Sequence, residues 1–119
     1  MKLETHHVND SKTAEVISDA IEINSIEDGL DQLGNLYYQD FDKIILHEKN
    51  ITPDFFDLKK GMAGEILHKF SNYRVRLAIV GTFKKYTSKS MQDFIFESNK
   101  GKQVNYVSIV ADGLNVLSN

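Results

Sequence analysis

Apolar and polar residues change rhythm several times along the chain, and each change marks an element. "LETHHV" and "TAEVIS" alternate and flank the turn-rich "NDSK", which predicts a two-strand hairpin. "NSIEDGLDQLGNLYYQ" then switches to helical spacing, with Ile26, Leu30, Leu33 and Tyr37 as its apolar positions. Ser25-x-x-Asp28 resembles a capping box with Asp in place of Glu and starts that helix. "KIILHE" is short, β-branched and apolar, as a buried strand is.

Thr52-Pro53 is the clearest helix start in the chain. Thr caps, and Pro at the first helical position has a preset φ and no orphan N–H. The helix predicted from there places Met62, Ile66 and Phe70 on one face, with Leu67 beside them. Gly61 and Gly64 each weaken it by about 1 kcal/mol relative to Ala, so they predict a kink or a close approach. "RVRLAIVG" is the most strand-like run. "SMQDFIFESNKG" reads as a third helix, started by Ser90-x-x-Asp93, stopped at Gly101, burying Met91, Phe94 and Ile95 and leaving Phe96 off that face. "QVNYV" predicts a last strand, and "SIVADGLNVL" a terminal helix with Val110, Leu114 and Leu117 inward.

The predicted order is β-β-α-β-α-β-α-β-α over one domain, residues 1–119. Strands that alternate with helices imply an α/β fold: a mixed, mainly parallel sheet of about five strands with helices packed on it. The crossovers are expected to be right-handed, and the opening hairpin adds an antiparallel edge.

Composition agrees with this picture. A chain of 119 residues can bury about two-thirds of its unfolded surface around one core. Its 41% apolar and 26% charged content suits a soluble globular domain and is too hydrophobic for disorder. The absence of cysteine excludes disulfides, thiolate catalysis and Cys-based zinc sites. Met1 to Asp10 holds no apolar run of the signal-peptide kind, and no stretch approaches the roughly 18 apolar residues of a membrane span. The expected location is the cytoplasm.

The net charge of −3 hides an asymmetry: residues 1–58 carry four Lys against thirteen Asp/Glu, and residues 59–102 carry ten Lys/Arg against three Asp/Glu. Such a chain can present an acidic and a basic side to an oppositely charged partner or to its own copy. Mixed α/β topologies shuffle segments in space, so the expectation is that the two charge sets mix.

The element order, with a functional loop after the third strand, resembles the STAS domain of anti-sigma-factor antagonists and sulfate-transporter tails. STAS antagonists carry an Asp-Ser pair in the loop before the second helix, where a partner kinase phosphorylates the serine. The corresponding stretch here, "TPDFFDLKKG", has carboxylates and no serine, so that switch is not carried over. The chain also resembles a bacterial family catalogued as domain of unknown function 4180, at "HEKNITPDFFDLKKGMAGEILHKFSNYRVRLAIVG" and "KYTSKSMQDFIFESNKG", covering most of residues 43–101. This likeness implies bacterial origin and a small stand-alone domain, and it supplies no activity.

In an open α/β sheet, ligands and partners gather beyond the carboxyl ends of the parallel strands. Two loops qualify: "HEKNITPDFFD" and "GTFKKYTSKS". If their strands are neighbours, Glu48, Asp54 and Asp57 face Lys84, Lys85 and Lys89. Asp54 and Asp57, three apart on a first helical turn, either share a face as hard oxygen ligands or simply favour the positive end of the helix dipole. The second is the more common arrangement.

Phe55 and Phe56 are adjacent, so a regular helix cannot bury both on one narrow stripe. Either both pack inward through an irregular first turn, or one of them faces a partner; Phe96 and Tyr86 raise the same question. "KKYTSKS" (Lys84, Lys85, Tyr86, Ser88, Lys89) offers cations and hydroxyls to a small anion but lacks phosphate-loop glycines. His47 and Glu48 point to opposite faces of a strand, His68 suits a helix surface, and His6-His7 suit an edge strand better than a metal tract.

No catalytic residue, metal site or cofactor is assigned, and the reading leans away from an enzyme. The expected function is a regulatory or protein-interaction module, contacting a protein partner or its own copy through Glu48, Asp54, Phe55, Phe56 and Asp57. The alternative is a small anionic-ligand or phosphate-binding domain, or a weak enzyme, using Lys84, Lys85, Tyr86, Ser88 and Lys89. Neither nucleic acid nor membrane is expected as a partner, given the acidic balance and the lack of an apolar span.

Overall fold

The computed structural model describes residues 1–119. Its elements follow the predicted order: β1 (Lys2–Val8), β2 (Ser11–Ile17), α1 (Ile26–Tyr38), β3 (Lys43–His47), α2 (Met62–Asn72), β4 (Arg76–Val80), α3 (Lys89–Lys100), β5 (Val104–Val107) and α4 (Val110–Leu117). β1 and β2 are antiparallel, paired from Lys2–Ile17 to Val8–Ser11 around a two-residue turn. Both turn residues, Asn9 and Asp10, have positive φ (49° and 64°), which matches the right-handed twist of a hairpin.

The remaining strands are parallel, and the sheet order is β1-β2-β3-β4-β5. Strand side chains alternate between two faces. One face contributes Ala14, Val16, Ile44, Leu46, Leu77, Ile79, Val104 and Tyr106 to the main core, where Leu33 and Leu36 of α1, Ile66 and Phe70 of α2 and Met91 of α3 join them. On the other face Ile45, Ala78 and Val80 form a smaller cluster with Leu117 of α4. α4 covers β3, β4 and β5 and leaves the β1–β2 part of that face without a helix.

Arg76 lies on the α4 side and ends that helix. Its guanidinium donates to the carbonyls of Val116 (2.7 Å), Leu117 (3.1 Å) and Asn119 (2.9 Å), and its Nε to Lys102 O (2.7 Å). A helix C-terminus exposes unpaired carbonyls and partial negative charge, and a planar cation satisfies both.

Four local expectations change. The buried face of α1 runs through Gly29, Leu33 and Leu36, with Tyr37 exposed. Ser25 does cap α1 by accepting from Asp28 N, but the Asp28 carboxylate reaches back to Asn24 N, one residue beyond the capping-box position. α3 is capped by Ser88, which accepts from Met91 N, and not by Ser90. Thr52 accepts from Asp54 N and Pro53 follows it, yet they open only a 3₁₀ turn (Pro53–Phe56). A second 3₁₀ turn (Leu58–Lys60) and a left-handed Gly61 (φ 74°) intervene before α2. Gly61 is needed there because a side chain strains that conformation.

The sequential strand order sets the two charged segments beside each other, and they meet in the ion pairs Lys85–Glu48 and Lys60–Asp54. The acidic segment 1–58 supplies β1, β2, α1 and β3, while the basic segment 59–102 supplies α2, β4 and α3. The two sets therefore lie side by side along the sheet.

Candidate functional site at the carboxyl ends of β3 and β4

β3 and β4 are neighbours, paired from Lys43–Arg76 to His47–Val80, so the loops that follow them meet. His47 and Glu48 diverge, although Glu48 is no longer extended: β3 ends at His47 and Glu48 opens a 3₁₀ turn (Glu48–Asn50). His47 turns to the sheet face that α4 covers in part, and Glu48 turns across the end of β4. Gly81 makes this crossing possible, because a Cβ there would overlap Cβ and Oε1 of Glu48.

Glu48, 9% exposed, gathers the second loop around one carboxylate. Its Oε2 accepts from Tyr86 OH at 2.6 Å and pairs with Lys85 Nζ at 2.6 Å, and its Oε1 accepts from Thr82 N at 3.4 Å. Burial pushes this carboxyl up, but the hydrogen bonds from Lys85 and Tyr86, the Lys85 charge and the Thr82 N–H outweigh it and hold the group below its ordinary value. The same contact acts in reverse on Tyr86, whose hydroxyl is pushed up by burial and by the Glu48 carboxylate.

Aromatic packing fastens the two loops beneath this polar knot. Phe55 (2% exposed) and Phe56 (4%) are both buried, through the irregular path of two 3₁₀ turns. Phe56 stacks on Tyr86 (4.5 Å between ring centres) and meets Phe55 edge-on (5.0 Å). Phe83 packs near Phe56 and edge-on against Tyr106 (5.3 Å). Of the two alternatives for the paired phenylalanines, the structure has both packed inward through an irregular turn, so neither ring is exposed to a partner.

The stretch after β3 is also tied to the start of α1. Asn50 donates from Nδ2 to Ser18 O (2.7 Å) and Ala20 O (2.9 Å), its own carbonyl accepts from Glu22 N and Ile23 N, and Ile23 bridges Ile51. The loop is a fixed part of the fold.

Of the three carboxylates expected to face the lysines, only Glu48 does so. Asp54 pairs with Lys60 at 3.0 Å, and Asp57 accepts from Lys59 N at 3.2 Å. The two aspartates thus serve separate local contacts along the 3₁₀ turns and do not form a pair on one helical turn. On the other loop, Lys89 pairs with Asp93 within α3 at 3.1 Å, and Ser88 is occupied as its cap. Lys84 is exposed and makes no ion pair.

Two clefts flank this knot. A shallow one of about 360 Å³ lies between Ile21, Ile51, Pro53, Glu48, Lys85 and Tyr86. The other, about 440 Å³, lies on the far side of Lys84 against α3. Phe83, Ile95 and Phe96 give it an apolar floor, and Thr82, Gln92, Asn99 and Ser108 give it polar walls. Phe96 is 63% exposed, and Lys100 Nζ lies 4.7 Å from the centre of its ring. The sequence had set Phe96 outside the buried face of α3, but not Thr82, Phe83 or Ser108 beside it, since they meet it only through the β4–β5 pairing.

No helix is long and apolar enough to cross a membrane. Neither the curated proteins nor the solved structures include a match to this chain. A family model matches residues 8–117, which takes in β2 to β5, the four helices, both clefts and the Glu48 knot, but only the last residue of β1. The chain belongs to the family that this model describes, Domain of unknown function (DUF4180).

Proposed function

We propose that this domain, of bacterial origin and STAS-like build, is a non-enzymatic regulatory module that acts by binding a partner protein at the cleft between the β4–α3 loop and α3. The observation that carries the reading is Phe96, an exposed aromatic ring that joins Phe83 and Ile95 in the apolar floor of a cleft at the carboxyl end of the parallel strands. Exposed aromatic anchors dominate the energy of protein contacts, and a preformed surface binds without a cost of ordering. Here the preforming is done by the Glu48 knot and the Phe55–Phe56–Tyr86–Phe83 packing.

The occupant is a protein segment that carries an apolar side chain flanked by carboxylates. The apolar side chain matches Phe83, Ile95 and Phe96, and the carboxylates match Lys84, which has no ion-pair partner, at the rim of a basic segment. Lys85 and Lys89 already hold Glu48 and Asp93, which favours this reading over an anion site built on the same loop.

Affinity capture from the native host with wild type and Phe96→Ala side by side tests the proposal. The expected result is a protein retained by wild type and lost with Phe96→Ala and with Lys84→Glu, at unchanged thermal stability. Capture that is identical for all three proteins, or a self-association in sedimentation that Phe96→Ala abolishes, would overturn it in favour of another surface or of a second copy of this chain.

A further inference from the structure

The part of the sheet that α4 leaves bare holds a second cluster of polar groups. Glu15, on β2, is only 7% exposed although its side chain lies on an open sheet face. Its Oε1 accepts from His6 Nε2 on β1 at 2.8 Å, and its Oε2 from His47 Nε2 on β3 at 2.6 Å. Three adjacent strands therefore send one side chain each to the same point. Period-two alternation does this once β1, β2 and β3 lie side by side, and the same alternation turns His7 to the opposite face.

Glu4 completes the cluster. It is the cross-strand partner of Glu15 in the β1–β2 register, and like charges placed directly opposite destabilise a sheet. A carboxyl oxygen of Glu4, one of Glu15 and a ring nitrogen of His6 all lie within 4.8 Å of one another. An ion at the centre of such a triangle is within a small side-chain rotation of bonds of about 2.0–2.2 Å, the length of zinc–imidazole and zinc–carboxylate contacts.

We propose that Glu4, His6 and Glu15 form a binding site for a divalent transition-metal ion of the Zn²⁺ class, with His47 as the positioning residue that holds the second oxygen of Glu15. One imidazole and two carboxylates are a nitrogen–oxygen donor set that suits such ions better than Ca²⁺ or Mg²⁺, which take oxygen alone. Three protein ligands leave a coordination position open to solvent or to a further donor. The His47–Glu15 contact is the kind of outer hydrogen bond that fixes a ligating carboxylate in place. A bound cation also removes the repulsion between Glu4 and Glu15. The site stands on the open sheet face and does not depend on the cleft at Phe96.

Calorimetric titration of the untagged, metal-stripped chain with Zn²⁺, and of the same protein with Co²⁺ followed by visible absorption, tests the assignment. Wild type is expected to bind one ion per chain and to develop cobalt d–d bands. His6→Ala and Glu4→Gln, both at exposed or partly exposed positions, should weaken Zn²⁺ binding at least 10-fold while leaving the circular dichroism of the metal-free protein unchanged. His47→Ala should weaken it by about 10–100-fold, and His47→Gln, which still donates a hydrogen bond, should recover part of that loss. His7→Ala and His68→Ala should bind as wild type does. Absence of Zn²⁺ binding by the folded wild type, binding that survives His6→Ala, or binding that falls with His7→Ala would overturn the site.

Discussion

Glu48, just beyond β3, and Glu15, on the neighbouring β2, are buried to a similar degree, yet their surroundings differ in kind. Glu48 meets a lysine, a phenol and a backbone N–H, and its approach is sealed by Gly81. All these partners are donors, none is a metal ligand of ordinary strength at neutral pH, and both carboxylate oxygens are used. Glu15 meets two imidazoles and faces another carboxylate. Burying a carboxylate is costly unless it is paired, and the two sites answer that cost differently. The first closes on itself and fastens two loops, whereas the second sets two carboxylates opposite each other and is open to a cation. The degree of burial of a charge does not tell its role; the chemistry of what faces it does.

The strongest way to break the Glu48 region is to remove its aromatic support. Phe56→Ala deletes a buried ring between Phe55, Tyr86 and Phe83 and should cost about 3–5 kcal/mol, read from denaturant unfolding midpoints. A near-wild-type midpoint would show that the ring does not hold the loops. Gly81→Ala should follow, at about 1–3 kcal/mol, because the added methyl group collides with the Glu48 stem and not with a mobile chain end.

Acid acts on the knot in a defined direction. The folded Glu48 carboxyl lies below its ordinary value near 4.5, so its contribution is complete above that pH. It is lost as pH falls through the lower, folded value. Wild type should therefore be more stable than Glu48→Gln at pH 7, and the gap should close as the pH drops below about 4.5. A gap that stays constant from pH 7 to pH 3 would remove Glu48 as the charged centre of the knot. Phe96→Ala should give the smallest effect on stability, within about 0.5 kcal/mol, since the ring is exposed. A larger loss would make Phe96 a structural residue instead of an anchor.

The sequence carried the element order because alternation and helical spacing are local properties. "KIILH" and "RLAIV" sit in the middle of the sheet as their apolar runs predict. Local signals failed where tertiary burial competed with them. Thr52-Pro53 satisfies every rule for a helix start, but a regular helix would set Phe55 and Phe56 about 100° apart around its axis. Two short 3₁₀ turns and Gly61 bury both rings instead. Ser88 and Ser90 are two chemically equivalent caps in "SKS", and only packing of Met91 distinguishes them.

The Glu15 cluster was illegible for a different reason. "TAEVI" places Glu15 on the face opposite Ala14 and Val16, which alone reads as solvent. Its convergence with His6 and His47 depends on the side-by-side order of β1, β2 and β3, a long-range property. The placement of the two charged segments has the same origin: the counts were visible, and the side-by-side order of the segments followed from a strand order that the pattern left open.

Thermal unfolding of Glu48→Gln and Glu15→Gln, each with and without Zn²⁺, tests most directly the division of roles between the two carboxylates. Glu48→Gln is expected to melt below wild type in metal-free buffer and to keep the upward shift that Zn²⁺ gives the wild type, while Glu15→Gln shows no shift. A Zn²⁺ shift retained by Glu15→Gln, or lost by Glu48→Gln, would contradict it.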